Sequence, residues 1–167
     1  IKTLSRQPSW GNAFVTQVAT FGADPRATAN LLLGLRRSGI TIPQPANAGV
    51  VSALLSKNLF SQAWEYYARL HPDADPRRSR DPRFRYAPDA PTAFDWTPIT
   101  DTGITSTVQR DEKNGVFDFY APPRTGGSLL RQMQMLPPGG YRLVGHSVGV
   151  DQDGDAYPGW AVDCLMC

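Results

Sequence analysis

The chain has 167 residues, of which 41% are apolar and 19% charged, with a net charge of +2; these are ordinary proportions for a globular chain but too few residues for a complete α/β-hydrolase. No apolar run approaches the roughly 20 residues that cross a bilayer, which excludes a transmembrane helix. Charge is uneven, with seven basic side chains against Asp24 and Glu65 in residues 1–70 and five basic against nine acidic in residues 93–167, yet the cations are scattered singly with no basic-aromatic block to follow phosphates, so nucleic acid is excluded as a partner.

The chain opens on Ile1 with no basic-then-apolar leader after it, and is expected to be a processed form or a fragment. The first helical signal is "SWGNAFVTQVATFG", with Phe14, Val15 and Val18 on one side. "DPRATANLLLGLRRSG" follows with a full set of start and stop signals. Asp24 is the N-cap and Pro25 the first helical residue, Arg36 and Arg37 fill the last turn, and Gly39 lies just beyond. After "TIPQP" come "ANAGVVSALLSKN" and "LFSQAWEYYARLHP", two antiparallel helices joined around Asn58. Ala63, Tyr66, Tyr67 and Leu70 form the buried stripe of the second.

Residues 50–73, "VVSALLSKNLFSQAWEYYARLHPD", resemble one αα-hairpin of tetratricopeptide-like repeats: a small residue and aromatics on the second helix, closed by Pro72. A lone hairpin of that kind cannot bury its own face. The resemblance therefore implies either further repeats or a cover supplied by the C-terminal half.

Residues 72–92 hold five prolines and nine charged residues and carry neither period, which marks a linker with Phe84 and Tyr86 as its pins. Beyond it the period becomes two. Strands are expected in "FDWTPI", "GITSTVQR", "GVFDFYA", "SLLRQMQML", "GYRLVGHSVGV" and "GWAVDC", separated by Gly, Pro, Asn and Asp turns. The expected architecture is α+β: an α-helical, repeat-like region over 1–71, a linker over 72–92, and an antiparallel, jelly-roll-like β-sandwich over 93–167.

"FDWTPI", "QMQMLPPGGYRL" and "GWAVDC" together resemble the β domain that follows helical repeats in bacterial proteins associated with exopolysaccharide or envelope loci. Gln132, Pro138, Gly139 and Tyr141 are also similar to the Gln…Pro-Gly-x-Tyr stretch of jelly-roll carbohydrate-binding modules. The resemblance implies a non-catalytic binding or scaffold protein of the periplasm or cell envelope, with a carbohydrate or polysaccharide as ligand. The residues placed to contact it are polar ones on one sheet face: Gln132 and Gln134 on one strand, Asp118 and Tyr120 on another, Arg142 and His146 on a third. Trp96 and Trp160 are expected in the core rather than as sugar platforms. The alternative is a protein-interaction module, in which the helical hairpin belongs to a longer array and the β domain caps it.

Three local patterns suggest chemistry. Gly145-His146-Ser147-Val148-Gly149 matches the nucleophile signature of esterases, but a turn rather than a helix follows it. Strand alternation also sends His146 and Ser147 to opposite faces, and no histidine follows the serine. No catalytic residue is expected. Asp151, Asp153 and Asp155 fit either an acidic turn or a calcium loop, although the glycine and the twelfth position depart from an EF-hand. Cys164 and Cys167 form C-x-x-C without two further zinc ligands, which leaves reduced thiols or a disulfide open. No metal or cofactor is expected.

Overall fold

In the computed structural model the described residues are 8–100, 103–110, 114–148 and 158–164. The chain divides into two compact units, Ile1–Pro137 and Pro138–Cys167.

The first unit begins with four helices, α1 (Gly11–Phe21), α2 (Pro25–Arg37), α3 (Gln44–Ser56) and α4 (Phe60–Leu70). Their ends follow from local chemistry. The Asp24 carboxylate accepts from the Arg26 and Ala27 amides, satisfying donors that the first turn of α2 leaves open. Both α2 and α3 close in the same way. Gly39 (φ +79) and Asn58 (φ +56) take the left-handed conformation. Ile40 and Leu59 then donate back to the carbonyls of Leu35 and Leu54, at 3.1 and 3.0 Å. Asn58 thereby reverses the chain and lays α4 along α3, while α1 packs on α2 and α3.

The apolar stripes meet in one core. Leu32, Leu35, Val50, Val51, Leu54 and Tyr67 are essentially inaccessible, each contributing about 1.5–3 kcal/mol if fully buried. On α1 the buried residues are Gly11, Val15 and Ala19, while Phe14 turns outward. Phe94 enters the same core from beyond the helices, its ring 5.2 Å from those of both Trp64 and Tyr67. Met133 and Met135 pack against it too. Phe94, Met133 and Met135 thus add to a core that the helices by themselves do not complete.

The described strands are β1 (Thr97–Pro98), β2 (Thr105–Arg110), β3 (Gly115–Tyr120) and β4 (Leu130–Arg131). They pair as two separate antiparallel two-stranded sheets. β1 runs against β4 with Thr97 opposite Arg131, and β2 against β3 with Val108 opposite Phe117. The expected sandwich is therefore not formed by the described residues, although a mixed α+β chain is. Past Pro98, which has no N–H to donate, β1 keeps one further bond, from the Ile99 amide to the Leu129 carbonyl at 2.8 Å. Burial explains the difference. A sandwich strand needs a face to bury, yet the described residues after Pro137 are exposed and without regular strand from 138 to 148 and from 158 to 164. Trp160, expected in a core, is 58% exposed; within this second unit its ring lies beside Gly145.

The proline- and arginine-rich stretch 72–92, here called the strap, is held down at several points. The Asp81 carboxylate accepts from the amides of Arg85 (3.0 Å) and Tyr86 (2.6 Å). This tight turn forces Phe84 to φ +51, a conformation that costs a bulky residue about 1–2 kcal/mol. Its ring is then set against Trp96 and Phe117, at 5.7 and 6.4 Å. Downstream, the Asp89 amide donates to Gln44 Oε1 on α3 at 2.8 Å.

Candidate functional site

The described residues of the first unit bring six polar side chains together where α4 ends and the strap begins. Tyr67, on the buried face of α4, donates its hydroxyl to Asp95 Oδ1 at 2.6 Å. Asp95 is 4% exposed, and its other oxygen accepts from the Thr92 amide (2.9 Å) and hydroxyl (2.8 Å). Three donors therefore take the place of the water this carboxylate loses. Arg80, from the strap, reaches back with Nε on the Tyr67 hydroxyl at 3.0 Å and pairs through Nη1 with Asp73. Burial and the hydrogen bond to Asp95 hold the Tyr67 phenol far above its ordinary pKa, against the opposing pull of Arg80. The Arg80 hydrogen bond in turn holds Asp73 below the usual carboxylate range.

His71 completes the cluster. It follows α4 directly, with its ring 4.4 Å from Tyr67 and 5.9 Å, edge-on, from Tyr86. Its Nδ1 lies 3.2 Å from Arg80 Nη2. A guanidinium can only donate, so Nδ1 is the acceptor and the neutral ring carries its hydrogen on Nε2. Burial, and after it the Arg80 charge, lowers the His71 pKa and favours that neutral form.

Beside this cluster opens a cleft of about 460 Å³. Its walls are the end of α2 with Arg36, the α2–α3 corner Gly39–Ile42, the start of α3, and the strap from Tyr86 to Thr92. His71 and Asp95 also line it. Much of the lining is already committed. Asn47 accepts from the Tyr66 hydroxyl at 2.7 Å, and Gln44 holds Asp89 as described. Tyr86 stands at the edge, 36% exposed, with the Arg80 guanidinium 5.7 Å from its ring centre.

The residues expected from sequence to bind a ligand lie elsewhere. Gln132 donates to the Arg80 carbonyl (3.0 Å) and accepts from the Ser79 hydroxyl (2.9 Å). Gln134 donates to the carbonyls of both Asp75 (3.1 Å) and Pro76 (3.0 Å). That double donation fixes which amide atom is nitrogen, and leaves Gln134 Oε1 buried without a partner. The alternation in "QMQM" is real, with methionines toward the helices and glutamines toward the strap, so chain rather than ligand meets both sides. Asp118 and Tyr120 lie on the open face of β3, where Asp118 accepts from Gln109 at 2.7 Å. The four expected residues of the first unit thus do not converge. Arg142 and His146 are exposed in the second unit.

Asp151, Asp153, Asp155 and Cys167 lie outside the described residues. Cys164 is disulfide-bonded. Among the described residues no three His, Cys, Asp or Glu side chains gather as a metal site would need, and no helix is long and apolar enough to cross a membrane.

Sequence reasoning missed His71, Arg80 and Asp95 as a group. The available signal was weak: aspartates and arginines interleaved around Phe84 and Tyr86, a pattern equally expected of a solvated linker. The chain matches no protein family, no curated protein and no solved structure.

Proposed function

We propose that this chain is a non-catalytic binding protein of the bacterial cell envelope whose ligand is a carbohydrate. The ligand site is assigned to the cleft between the α2–α3 corner and the strap rather than to a sandwich face. One observation carries the reading: the cleft sets Gln44, Asn47, His71 and Thr92, each oriented by a protein hydrogen bond, among apolar neighbours, with the Tyr86 ring at its edge. Such walls suit a hydroxyl-rich ligand, which needs oriented polar contacts and one aromatic face. The same commitments speak for binding rather than catalysis. Asp95 spends its oxygens on Tyr67 and Thr92, and His71 spends its lone pair on Arg80, which leaves neither poised as a base. The disulfide at Cys164 fits an oxidising compartment such as the periplasm.

Calorimetry with a panel of neutral and acidic oligosaccharides tests the reading. Saturable binding that weakens at least about tenfold in Tyr86→Ala is expected, the loss of an aromatic contact and its area. Heat signals indistinguishable from dilution across the panel would sink it.

A second reading has its own observation. Trp10, Phe14 and Phe21 are 50, 42 and 72% exposed, and their spacing of four and seven residues sets them along one side of α1. Exposed apolar rows of this kind mark interaction surfaces, and a neighbouring hairpin of a helical array would cover this one. Light scattering of the native chain and of Phe14→Asp separates the two readings, since a carbohydrate receptor keeps its affinity in that variant.

A further inference from the structure

We infer that the cleft selects an acidic sugar, one carrying a carboxylate, and that Arg36 is the residue that reads the charge; this rests on the carbohydrate reading above. The cleft presents donors that the protein leaves uncommitted among the described residues. Arg36 lines the cleft from the last turn of α2, and its guanidinium is in neither of the ion pairs found among the described residues, which join Arg78 to Asp75 and Arg80 to Asp73. The acidic side chain in the lining is Asp95. Its two oxygens are engaged by Tyr67 and Thr92, and no hydrogen bond or ion pair joins it to Arg36 among the described residues. The second free donor is the imidazole of His71. Arg80 occupies its Nδ1, and the hydrogen on Nε2 has no protein acceptor among the described residues.

An uncommitted guanidinium and a neutral N–H donor lining one cleft suit an acceptor with negative charge and more than one oxygen. A carboxylate meets that need, because its two oxygens match the guanidinium fork and charge-assisted hydrogen bonds are roughly twice as strong as neutral ones. A uronic acid presents that group on a ring whose hydroxyls and carbon face suit the remaining polar wall and Tyr86. A neutral sugar offers Arg36 no charged acceptor.

The probes are trigalacturonate, triglucuronate and the fully methyl-esterified form of each, which keep the hydroxyls and remove the charge. The full chain should bind the free acids at least about tenfold more tightly than the esters. That preference should shrink as salt rises from low to physiological concentration, since the cleft is open to solvent. In Arg36→Gln the acid and ester affinities should converge. Arg36→Lys keeps the charge without the fork, and should recover part of the preference. Arg36 is exposed, so folding of both variants is checked by an unchanged melting temperature. Equal affinity for acid and ester would overturn the charge selection while leaving carbohydrate binding intact. A preference for the acids that survives Arg36→Gln would overturn the role of Arg36. Binding of neither acid nor ester would overturn both this inference and the function on which it rests.

Discussion

Tyr67 shows how much one side chain organises. Its ring belongs to the helical core and its hydroxyl stands between Asp95 and Arg80, so a buried acid and a strap cation are joined through a neutral group. Tyr67→Phe keeps the ring and removes both hydrogen bonds. It should cost about 1–3 kcal/mol in urea unfolding, the penalty for leaving a buried polar group short of a partner. Tyr66→Phe, which loses a single bond to Asn47, should cost less. His71 gives the cluster a pH dependence whose sign follows from its depressed pKa. The unfolded chain takes up this proton near 6.5, the folded chain only at lower pH, so between the two the unfolded state binds more protons and stability rises with pH. The contribution is complete above about pH 6.5 and is lost as pH falls toward the folded value. The groups acting on the ring are Arg80 and Arg36, which lower its pKa, and Asp95 and Asp73, which oppose them; the rings of Tyr67 and Tyr86 flank it. Asp73, depressed by Arg80, adds a separate loss below the ordinary carboxylate range. Urea midpoints at pH 7.5 and 5.0 should therefore differ in the native chain, and the gap should narrow in His71→Gln.

At the scale of elements, the strap and the β2–β3 ribbon depend on one close approach. A Cβ added at Gly115 would lie 2.2 Å from the Phe84 carbonyl oxygen, which is backbone and cannot rotate away. The Gly115 amide also donates to the Arg83 carbonyl at 2.7 Å. Gly115→Ala should therefore separate strap from ribbon, destabilising by about 1–3 kcal/mol and exposing the Gly115 position's amide to faster hydrogen exchange. Gly126→Ala, where a Cβ meets nothing within 4 Å, should leave both measurements unchanged. Helix limits were legible beforehand because caps act locally: Asp24, Pro25, Gly39 and Asn58 each decide the conformation of neighbours within a few residues. The strap was not. Phe84 and Gly115 are ordinary letters in turn-rich stretches, and their meaning comes from each other, about thirty residues apart.

For the whole molecule, the buried hydrophobic side chains among the described residues run from Val15 to Ile104, all within the first unit. Thermal stability should therefore reside in that unit. A chain ending at Pro137 should retain its melting temperature within about 2 °C, measured by circular dichroism beside the full chain. A larger fall would mean that residues after Pro137 support the helical core.

Composition, caps and periodicity by themselves determined that this chain is α+β, where its four helices run, and that residues 130–135 alternate. These are properties of a segment and its own backbone, set within one or two turns of helix or one pleat of strand. They could not say what each face of an alternating segment meets. That decision belongs to tertiary structure: Gln132 and Gln134 had the polar character of a binding face, yet their amides are taken by carbonyls of the strap more than fifty residues earlier. The cleft arises for the same reason, because His71, Arg36 and Tyr86 come from an α4 terminus, an α2 terminus and the strap, and only the packing of those three elements makes them neighbours.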